Sequence, residues 1–578
     1  MTLVHLSEMN AMNGNFSLSQ TFRKPAVVSS SGIVSAQHRR AAEAGAAVLA
    51  KGGDCIDAVI ATSFALGALE PWMSGIGGGG AMVLYRAKEK RFEVIDFGMC
   101  APLGLNAADY AMTGEGAASD LFPWPRVKDD RNLHGPGSVA VPGVVAGMEA
   151  AFTRYAKLAW QDLVLPAALM AREGLLVDWF TTENIASGAA DLRRYPSSAA
   201  DFLRDGLPPA PMWGIRAQVR LPRPRYANTL EKLAAQGPRA FYEGEIAQQI
   251  GREIEAAGGA LRAFDLAAYK VRVGNTLAIS YRHATVHATP ELTAGPTLAH
   301  TLRLLAEWSA AGAVPNAAAY AAYGRALQTA YRERLKDMGD ADGKRALGAE
   351  HRAPACTSHF NVVDAEGNMA AVTQTLLSIF GSKFVTPESG ILMNNGIMWF
   401  DPEPGKANSL AGGKRCLCNY TPVIAHIPAQ DDPLKPLVGA GYGASKAADP
   451  LPERFLAVGA SGGRRILPAV AQVLSFAIDY GMNLDTAFHT PRIDASEGAV
   501  LIGDTRLDAA THTALGAAFD YEQAAVQTMP MKFACPSAVM RAGAAAGSGS
   551  KAINSDALNS GATEIVQPWA DAVAADPA

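Results

Sequence analysis

Apolar side chains recur at helical spacing in two segments near the start of the chain. The first runs from Ser35 to Ala50 and stops at Gly52-Gly53, and the second runs from Cys55 to Leu69. Apolar residues three and four positions apart are typical of helices, and an aspartate directly before such a run caps the free N–H groups of the first turn. Asp54 therefore predicts the start of the second helix.

After about residue 357 the pattern becomes that of strands. His359–Val363 and Met369–Thr375 are rich in β-branched and apolar side chains, which is typical of buried strands. The polar stretch between them contains Gly367, and glycine adopts the positive φ that a tight turn needs. The sequence therefore predicts two strands joined by a turn.

Further strands and helices surround this pair. Segments at Ala81–Tyr85 and Phe92–Phe97 predict strands, and roughly residues 140–350 are mostly helical in pattern. A strand at Phe455–Gly459 leads through glycines into a helix at Ile466–Tyr480. Helices that flank strand pairs at both ends of a chain indicate an α/β or α+β fold with layered sheets.

Composition narrows the class of protein. The chain has 578 residues, of which 49% are hydrophobic, and its formal net charge is −4. That hydrophobic content supports a large core and excludes wholesale disorder. The charge balance argues against a nucleic-acid partner or a basic membrane-binding surface. No apolar run reaches about 18 residues and no signal sequence is evident, so we expect no membrane span and a cytoplasmic protein.

The cysteines and the chain ends carry little chemistry. Six cysteines in 578 residues are too few for a disulfide scaffold. Cys416 and Cys418 form the one close pair, and no second Cys/His pair stands at zinc spacing, so we predict no metal site. Residues 1–25 are predicted to be a loose leader, and the Gly/Ala/Ser-rich stretch from about residue 541 to 578 a flexible tail.

The densest glycine run, Ser74–Gly80, has the composition of a phosphate-binding loop. That chemistry needs a strand before the glycines and a helix N-terminus after them. Here a predicted helix precedes the run and a predicted strand follows it. We therefore expect these glycines to serve close backbone packing, and we predict no nucleotide or other cofactor.

A second glycine-rich segment, Gly459–Gly463, matches the G-x-S-x-G turn that presents a nucleophilic serine, and it lies between a predicted strand and a predicted helix. A serine hydrolase built on Ser461 is therefore one hypothesis. Its acid and base would come from the downstream residues Asp485, His489, Asp494 and His512. The same glycines could instead offer backbone N–H groups to an oxyanion.

Thr357 stands directly before the first strand of the predicted pair. A threonine becomes a nucleophile when its own freed α-amine can take the hydroxyl proton. The pKa of an α-amine, about 7.7–8.0, suits a base at neutral pH. This chemistry requires a cut between Cys356 and Thr357, which nothing in local propensity predicts.

With these residues in view, the sequence resembles the γ-glutamyltransferase (γ-glutamyltranspeptidase) family of N-terminal-nucleophile hydrolases. The resemblance covers roughly residues 30–540 in the right order. The segments that carry it are Gly52–Ala58 with Glu70-Pro71, Ser74–Gly80, Thr357–Phe360 with Asp364, Gly367-Asn368 and Thr375, then Asn394-Asn395, Lys414-Arg415, Pro422 and Ser461–Gly463 with Arg465-Ile466.

The resemblance implies an α+β fold of the four-layer αββα sandwich type that matures by self-cleavage before Thr357. Residues 26–356 would form a large subunit and residues 357–578 a small subunit, which together make a heterodimer from one precursor. Further dimerisation is left open. The partner it implies is a small-molecule amide substrate.

The resemblance also implies roles for individual residues. Thr357 would attack the scissile bond in processing and then the substrate amide, with its α-amine as base. Thr375 would orient the Thr357 hydroxyl. Gly462 and Gly463 would donate backbone N–H groups to the oxyanion, and Ser461 would then be scaffolding beside the substrate.

Departures from the family pattern fall on the substrate-binding positions. Gly98 stands where γ-glutamyl enzymes of the family have an arginine that grips the substrate carboxylate. Trp399, in the segment that begins at Asn394-Asn395, replaces an aspartate that holds the substrate amine. Leu377 replaces an asparagine, and Cys418-Asn419 replaces paired serines.

The lost arginine and aspartate each contribute charge-assisted hydrogen bonds of roughly 1.5–3 kcal/mol. We therefore expect weak γ-glutamyl recognition and an apolar acyl pocket made of Leu377, Met398, Trp399 and Cys418. Asn395 lies beside this pocket in the sequence pattern, and Arg464 could still hold a carboxylate.

Three hypotheses follow from the sequence. The first is a self-processing amidohydrolase or acylase of this family that cleaves an amide other than an ordinary γ-glutamyl compound, a divergence that would resemble cephalosporin-acylase-like members. The second is a genuine γ-glutamyltransferase or glutathione hydrolase with a rearranged clamp. The third is a non-catalytic binding scaffold.

Overall fold

The computed structural model of the protein describes residues 23–117, 124–211, 218–337, 355–430, 451–496, 500–527, 531–543 and 557–575. Within these ranges the strands form two large sheets, each of seven strands, and three small ones. Residues 1–22 of the predicted leader lie outside this part of the chain.

The first large sheet is antiparallel throughout. Its strands are, in spatial order, Val27–Ser29, Leu558–Thr563, Cys535–Ala542, Arg454–Ser461, Val423–Ile427, Ala284–Ala288 and Leu277–Tyr281.

The second large sheet is also antiparallel. Its strands are, in spatial order, Asp571–Ala574, Ile33–Ala36, Ala355–Val363, Met369–Ser378, Gly79–Arg86, Arg91–Phe97 and Arg272–Gly274. The small sheets comprise Ile493–Asp494 with Val500–Asp504 and Asp520–Ala524, Met112–Ala117 with Pro125–Val127, and Leu175–Leu176 with Arg220–Leu221.

The described helices cover the outer faces of both sheets or lie in the connections between strands. They are Arg39–Ala50, Cys55–Leu69, Val144–Tyr155, Trp160–Glu173, Trp179–Leu192, Pro196–Phe202, Pro224–Gln236, Glu245–Ala256, Ala263–Ala268, Gly295–Ala306, Ala317–Asp337, Ile466–Asp479, Leu484–His489 and Ala509–Ala518.

Three hydrophobic clusters show how the layers pack. One joins the second sheet to helices such as Cys55–Leu69 and Trp160–Glu173, and another joins the first sheet to Ala317–Asp337 and Ile466–Asp479. A third lies between the two sheets, where side chains such as Val83 face the opposite sheet. Sheets buried on both faces between helix layers form the predicted four-layer αββα sandwich, so the α+β fold class is confirmed.

Local sequence explains the helix that supports the second sheet. The Asp54 side chain accepts a hydrogen bond from the Ile56 N–H at 2.9 Å, and Asp57 accepts one from the Asp54 N–H at 2.7 Å. This reciprocal arrangement satisfies free donors of the first turn. The predicted helix Cys55–Leu69 is confirmed with the same bounds.

Two predictions were wrong, one about where the first helix begins and one about the C-terminal tail. The stretch predicted to be one helix from Ser35 begins instead as the strand Ile33–Ala36, and the helix starts at Arg39. The tail predicted to be flexible from about residue 541 is ordered at residues 557–575, where Leu558–Thr563 and Asp571–Ala574 pair with strands of the two sheets. Both errors arise because strand pairing with distant segments overrides the local pattern.

Candidate active site

The hairpin of Ala355–Val363 and Met369–Ser378 carries Thr357 in the middle of the second sheet. Its turn contains Gly367 at φ +87°, as the sequence predicts. The pairing register shifts between Cys356 and Ser358, so Thr357 lies at a β-bulge. Bulges re-aim a side chain and are frequent beside active sites.

The Thr357 hydroxyl lies 3.3 Å from the hydroxyl of Thr375 on the neighbouring strand. The Leu377 N–H donates to the Thr375 oxygen at 2.8 Å. Leu377 has a φ of +89°, a backbone conformation that residues other than glycine rarely adopt. The bulge thus places a backbone donor on Thr375, and Thr375 beside Thr357, in a site where both threonines are buried.

A buried polar network supports the start of this strand. The hydroxyl groups of Ser74 and Ser358 are 2.9 Å apart. Gln374 donates to Ser74 at 3.0 Å and accepts from Ser63 at 2.6 Å. Ser74 is the first residue of the glycine run Ser74–Gly80. The run packs closely against this hairpin, because a Cβ at Gly78 would lie 2.2 Å from the Thr375 carbonyl oxygen. The prediction that these glycines serve close backbone packing is therefore confirmed at Gly78.

His359 lies on the strand of Thr357, and its ring packs against the opposite sheet. Its ring nitrogens lie 2.8 Å from Thr373 Oγ1 and 3.0 Å from Asn361 Oδ1. Burial lowers the pKa of His359 to about 3, so the ring is neutral at physiological pH. A Cβ at Gly459 in the opposite sheet would lie 2.3 Å from this ring. The close approach therefore requires glycine at position 459.

The strand Arg454–Ser461 ends in the turn that carries Gly462 and Gly463, and the turn contacts the strand of Thr357. Gly462 has a φ of +128° and Gly463 a φ of +59°, values that favour glycine. Gln37 donates a hydrogen bond to the Ser461 hydroxyl. Gln37 is a supporting residue that sequence reasoning missed, because nothing in the local pattern around it indicates a partner more than 400 residues away.

His489 and His512, the two candidate bases of the serine-hydrolase hypothesis, form their hydrogen bonds with residues other than Ser461. The His489 ring lies 2.6 Å from the Asp485 carbonyl oxygen, and the His512 ring lies 2.6 Å from the Tyr521 hydroxyl. Among the hydrogen bonds of the described residues, the partner of the Ser461 hydroxyl is Gln37. The geometry therefore does not assemble a triad around Ser461.

Arg464 follows the two glycines and is held by the helix Ala317–Asp337. Its carbonyl oxygen accepts a hydrogen bond from the Tyr331 hydroxyl, and its guanidinium lies 5.6 Å from the centre of the Tyr331 ring. Because both backbone and side chain contact Tyr331, this helix fixes the position of the glycine turn.

The residues predicted to form an apolar acyl pocket lie in one buried cluster. Leu377, Met398, Trp399 and Cys418 belong to it, and Leu377 connects it to the bulge of Thr357. Burial raises the pKa of the Cys418 thiol well above its ordinary range, so the thiol carries no charge. The cluster also contains Tyr420, which sequence reasoning missed, and whose ring centre lies 6.0 Å from that of Trp399.

Gly98 lies at the edge of this cluster, and the space beside it is filled. A Cβ at this position would lie 2.8 Å from the Tyr420 hydroxyl oxygen and 3.0 Å from Asp96 Oδ1. Arg415 donates to the Gly98 carbonyl oxygen at 2.9 Å. A larger residue at position 98 would therefore displace Tyr420 or Asp96.

The Asn395 side chain is engaged by the protein itself. It donates to the Leu133 carbonyl oxygen at 3.1 Å and to the Ser378 hydroxyl at 2.8 Å, and it accepts from the Ser378 N–H at 3.1 Å. These hydrogen bonds hold the segment that follows Leu377, so Asn395 stabilises the predicted pocket through the protein backbone.

Asn419 is oriented by a buried arginine, Arg334, that sequence reasoning also missed. Arg334 donates to Asn419 Oδ1 at 3.2 Å, to the Cys418 carbonyl oxygen at 2.6 Å and to the Thr293 carbonyl oxygen at 2.9 Å. Burial lowers the pKa of Arg334 to about 10. A helical pattern alone could not have shown which arginine of this segment points inward.

The fold has a close counterpart among solved structures. A cephalosporin acylase from Bacillus halodurans superimposes with a TM-score of 0.78 and 22% sequence identity, over 96% of this chain and 98% of that protein. This likeness shows the class of fold, a four-layer αββα sandwich.

Sequence comparison identifies the family. The γ-glutamyltranspeptidase family profile matches residues 41–352 and 344–449. An acylase ACY 1 proenzyme from Pseudomonas sp. (strain V22) is 32% identical over 509 residues, which are 83% of this chain and 85% of that protein. A glutathione hydrolase proenzyme from Bacillus subtilis (strain 168) is 28% identical over 81% of each chain. The chain belongs to the γ-glutamyltranspeptidase family, as its motifs predict, and is an enzyme of the amidohydrolase class.

Within the described ranges, no helix is long and apolar enough to span a membrane.

Proposed function

We propose that the chain cleaves itself between Cys356 and Thr357 and then hydrolyses amides whose acyl group is not an ordinary γ-glutamyl group. The observation that carries this proposal is the pair of buried hydroxyls, Thr357 and Thr375, 3.3 Å apart at the bulge of the central hairpin. The relatives that are named proenzymes support the processing step.

In processing, Thr357 Oγ attacks the carbonyl carbon of Cys356, and the peptide C–N bond breaks as an ester forms. Water hydrolyses that ester, which leaves a carboxylate on Cys356 and a free amine on Thr357. The products are residues 1–356 and residues 357–578, which remain associated because both sheets contain strands from both products.

In catalysis the same hydroxyl attacks the substrate amide, and its proton passes to the new α-amine and then to the leaving amine. Gly462 and Gly463 donate N–H groups to the oxyanion of the tetrahedral intermediate. Water hydrolyses the acyl-Thr357 ester and releases the carboxylic acid. The Thr375 hydroxyl, which accepts from the Leu377 N–H, orients the nucleophile throughout.

Substrate preference follows from the cluster beside Leu377. Trp399, Met398 and Cys418 present an uncharged, mainly apolar surface there. The position of Gly98 cannot hold a longer side chain without displacing Tyr420. Both features disfavour a zwitterionic glutamyl group, which would lose its charge-assisted hydrogen bonds on burial.

Arg415 supports a second candidate function, true γ-glutamyl hydrolysis or transfer with a relocated clamp. Its guanidinium nitrogen would lie 3.6 Å from a Cβ at Gly98, so a cation is present next to the position of the replaced arginine. Arg415 already donates to the Gly98 and Lys270 carbonyl oxygens, and we therefore place this candidate second.

Denaturing gels and intact-mass measurement test the processing. Purified protein should give two chains that divide between residues 356 and 357, whereas Thr357→Ala should give one uncut chain and Thr357→Ser should still cut. A wild-type chain that stays whole on incubation would favour the scaffold hypothesis, and cleavage of Thr357→Ala would refute the assignment of Thr357.

A pair of chromogenic substrates tests the acyl preference. We expect hexanoyl-p-nitroanilide to be hydrolysed with a higher kcat/KM than γ-glutamyl-p-nitroanilide. Comparable or better turnover of the γ-glutamyl compound would favour the relocated clamp.

A further inference from the structure

The glycine turn, Gly462-Gly463, is held on both flanks by side chains from the other product of the proposed cleavage. On one flank Gln37 donates a hydrogen bond to the hydroxyl of Ser461, the residue before the turn. On the other flank the Tyr331 hydroxyl donates to the carbonyl oxygen of Arg464, the residue after the turn. The product that lacks the turn therefore provides two of its contacts.

Both contacts are shielded from water and restrain a flexible segment. Gln37 is 2% exposed and Tyr331 is 6% exposed, so solvent cannot readily take the place of either donor. Within its own product the turn is closed by a hydrogen bond of 3.2 Å from the Arg465 N–H to the Gly462 carbonyl oxygen. Because glycine has a wide choice of backbone conformations, a segment of two glycines depends on contacts at its ends for a fixed orientation.

The orientation of the glycine turn matters most when the tetrahedral intermediate forms. Its N–H groups stabilise the oxyanion only when they lie about 2.7–3.1 Å from that oxygen atom. The negative charge on this oxygen develops in the transition state and is absent from the bound substrate. A turn that moves more freely should therefore weaken the binding of the transition state more than the binding of the substrate.

We propose that Gln37 and Tyr331 are positioning residues of the oxyanion site, which fix the orientation of the glycine turn from the other product. This inference rests on the proposed acyl-Thr357 chemistry and adds to it a contribution of residues 26–356 to the rate of the chemical step. Each side chain acts through the flanking residue that it holds.

Gln37→Met and Tyr331→Phe test the proposal, since each removes one donor and keeps most of the side-chain volume. Each variant should lower kcat about fivefold, the effect of one ordinary hydrogen bond, and leave KM unchanged. The double variant should lose about 25-fold, because the two flanks are separate contacts. Each protein is assayed after gels show complete cleavage into two chains, which is also the check on folding. The substrate is whichever of hexanoyl- and γ-glutamyl-p-nitroanilide the wild type hydrolyses faster, since both amides give an oxyanion.

Tyr323→Phe is the matched control for Tyr331→Phe. It removes a buried hydroxyl from the same helix, Ala317–Asp337, where the Tyr323 oxygen lies 2.8 Å from the Ser475 hydroxyl. This variant should lower the urea midpoint and keep the wild-type kcat. Wild-type kcat in both Gln37→Met and Tyr331→Phe would overturn the proposal, as would equal losses of kcat in Tyr331→Phe and in the control.

A transition-state analogue separates the orientation of the turn from the shape of the substrate pocket. The boron of pentylboronic acid forms a bond with Thr357 Oγ while the hydroxyl proton passes to the α-amine, which gives a tetrahedral boronate anion. Hexanoate is the planar counterpart of the same length. The inhibition constant of the boronic acid should rise about fivefold in each variant, and that of hexanoate should stay unchanged. Equal changes for the two inhibitors would overturn the proposal.

The outcomes separate this inference from the proposed function. If the wild type hydrolyses the hexanoyl anilide and both variants keep its kcat, the proposed function stands and the positioning roles are wrong. If the γ-glutamyl anilide is the better substrate, the proposed acyl preference is wrong while the same variants still test the turn. If the wild type hydrolyses neither anilide, both proposals fail.

Discussion

A Cβ on Gly98 would lie 2.8 Å from the hydroxyl oxygen of Tyr420. Tyr420 therefore occupies the volume into which a side chain at position 98 would extend, and the two positions have to be considered together. Since cores tolerate added volume poorly, we expect that a larger side chain at position 98 fits only if Tyr420 moves.

We expect Gly98→Ala to lower the free energy of unfolding by about 1–3 kcal/mol. Tyr420→Phe, which removes the oxygen nearest to the new methyl group, should recover part of this loss in the double variant. Urea midpoints of the four proteins measure the coupling. Gly274→Ala is the matched control, because among the described residues no atom beyond its chain neighbours lies within 4 Å of a Cβ at that position. Purely additive effects of the two substitutions would contradict the predicted contact.

Helices and turns could be predicted from the sequence where the local residue pattern agrees with the packing that the element has in the fold. Asp54 and the apolar run after it predicted the helix Cys55–Leu69, and Gly367 predicted the turn of the central hairpin. The strand Leu558–Thr563 could not be predicted, because its sequence of small and polar residues forms a strand through pairing with Cys535–Ala542.

The site was predictable only in part for a similar reason. The resemblance to the family implies that Thr375 orients Thr357, and the strand–turn–helix pattern around Ser461 predicts the turn at Gly462. Gln37 and Arg334 act through partners far away in the chain, and no periodicity reports such partners. The clash that requires Gly98 likewise depends on Tyr420, more than 300 residues away in the sequence.

Thr375→Val should slow the reaction and also lower the free energy of unfolding by about 1–3 kcal/mol, because the buried Leu377 N–H loses its acceptor. Valine has nearly the shape of threonine and removes the hydroxyl that lies 3.3 Å from Thr357 Oγ1. We expect kcat for an acyl anilide to fall about 100-fold, in the range seen when one preorganised hydrogen-bonding group is removed, while Thr375→Ser retains most of the activity.

Thr373→Val is the matched control for Thr375→Val. It makes the same change two residues earlier on the same strand, where the hydroxyl bonds to His359 at 2.8 Å. We expect it to lower stability by about 1–3 kcal/mol through the unpaired ring nitrogen and to affect kcat much less. Equal losses of kcat in both variants would show that Thr375 has no special relation to the nucleophile.

Ser461→Ala separates the threonine mechanism from the serine hypothesis. If Ser461 only accepts a hydrogen bond from Gln37, its loss should lower stability by about 1–3 kcal/mol and reduce kcat/KM less than about tenfold. A serine nucleophile would instead lose at least about 10⁴-fold on the same substitution. Steady-state kinetics with an acyl anilide measure kcat/KM, and urea unfolding of the same sample measures the stability.

His359 predicts how stability depends on pH. Its pKa is about 3 in the folded protein because burial disfavours the charged ring, and about 6.5 in the unfolded chain. Below pH 6.5 the unfolded chain therefore binds a proton that the folded protein does not. The ring costs no stability above pH 6.5, and the free energy of unfolding falls as the pH drops from 6.5 toward 3.

Between pH 6.5 and pH 5 this single ring should lower the free energy of unfolding by about 2 kcal/mol. His359→Gln keeps a polar side chain between the sheets but cannot take up the proton. Urea midpoints measured from pH 7.5 to pH 5 should fall less steeply for this variant than for the wild type, whatever the offset between the two at neutral pH. Parallel curves would mean that His359 accepts a proton in the folded protein, and that the close packing of Gly459 against its ring does not exclude the charged form.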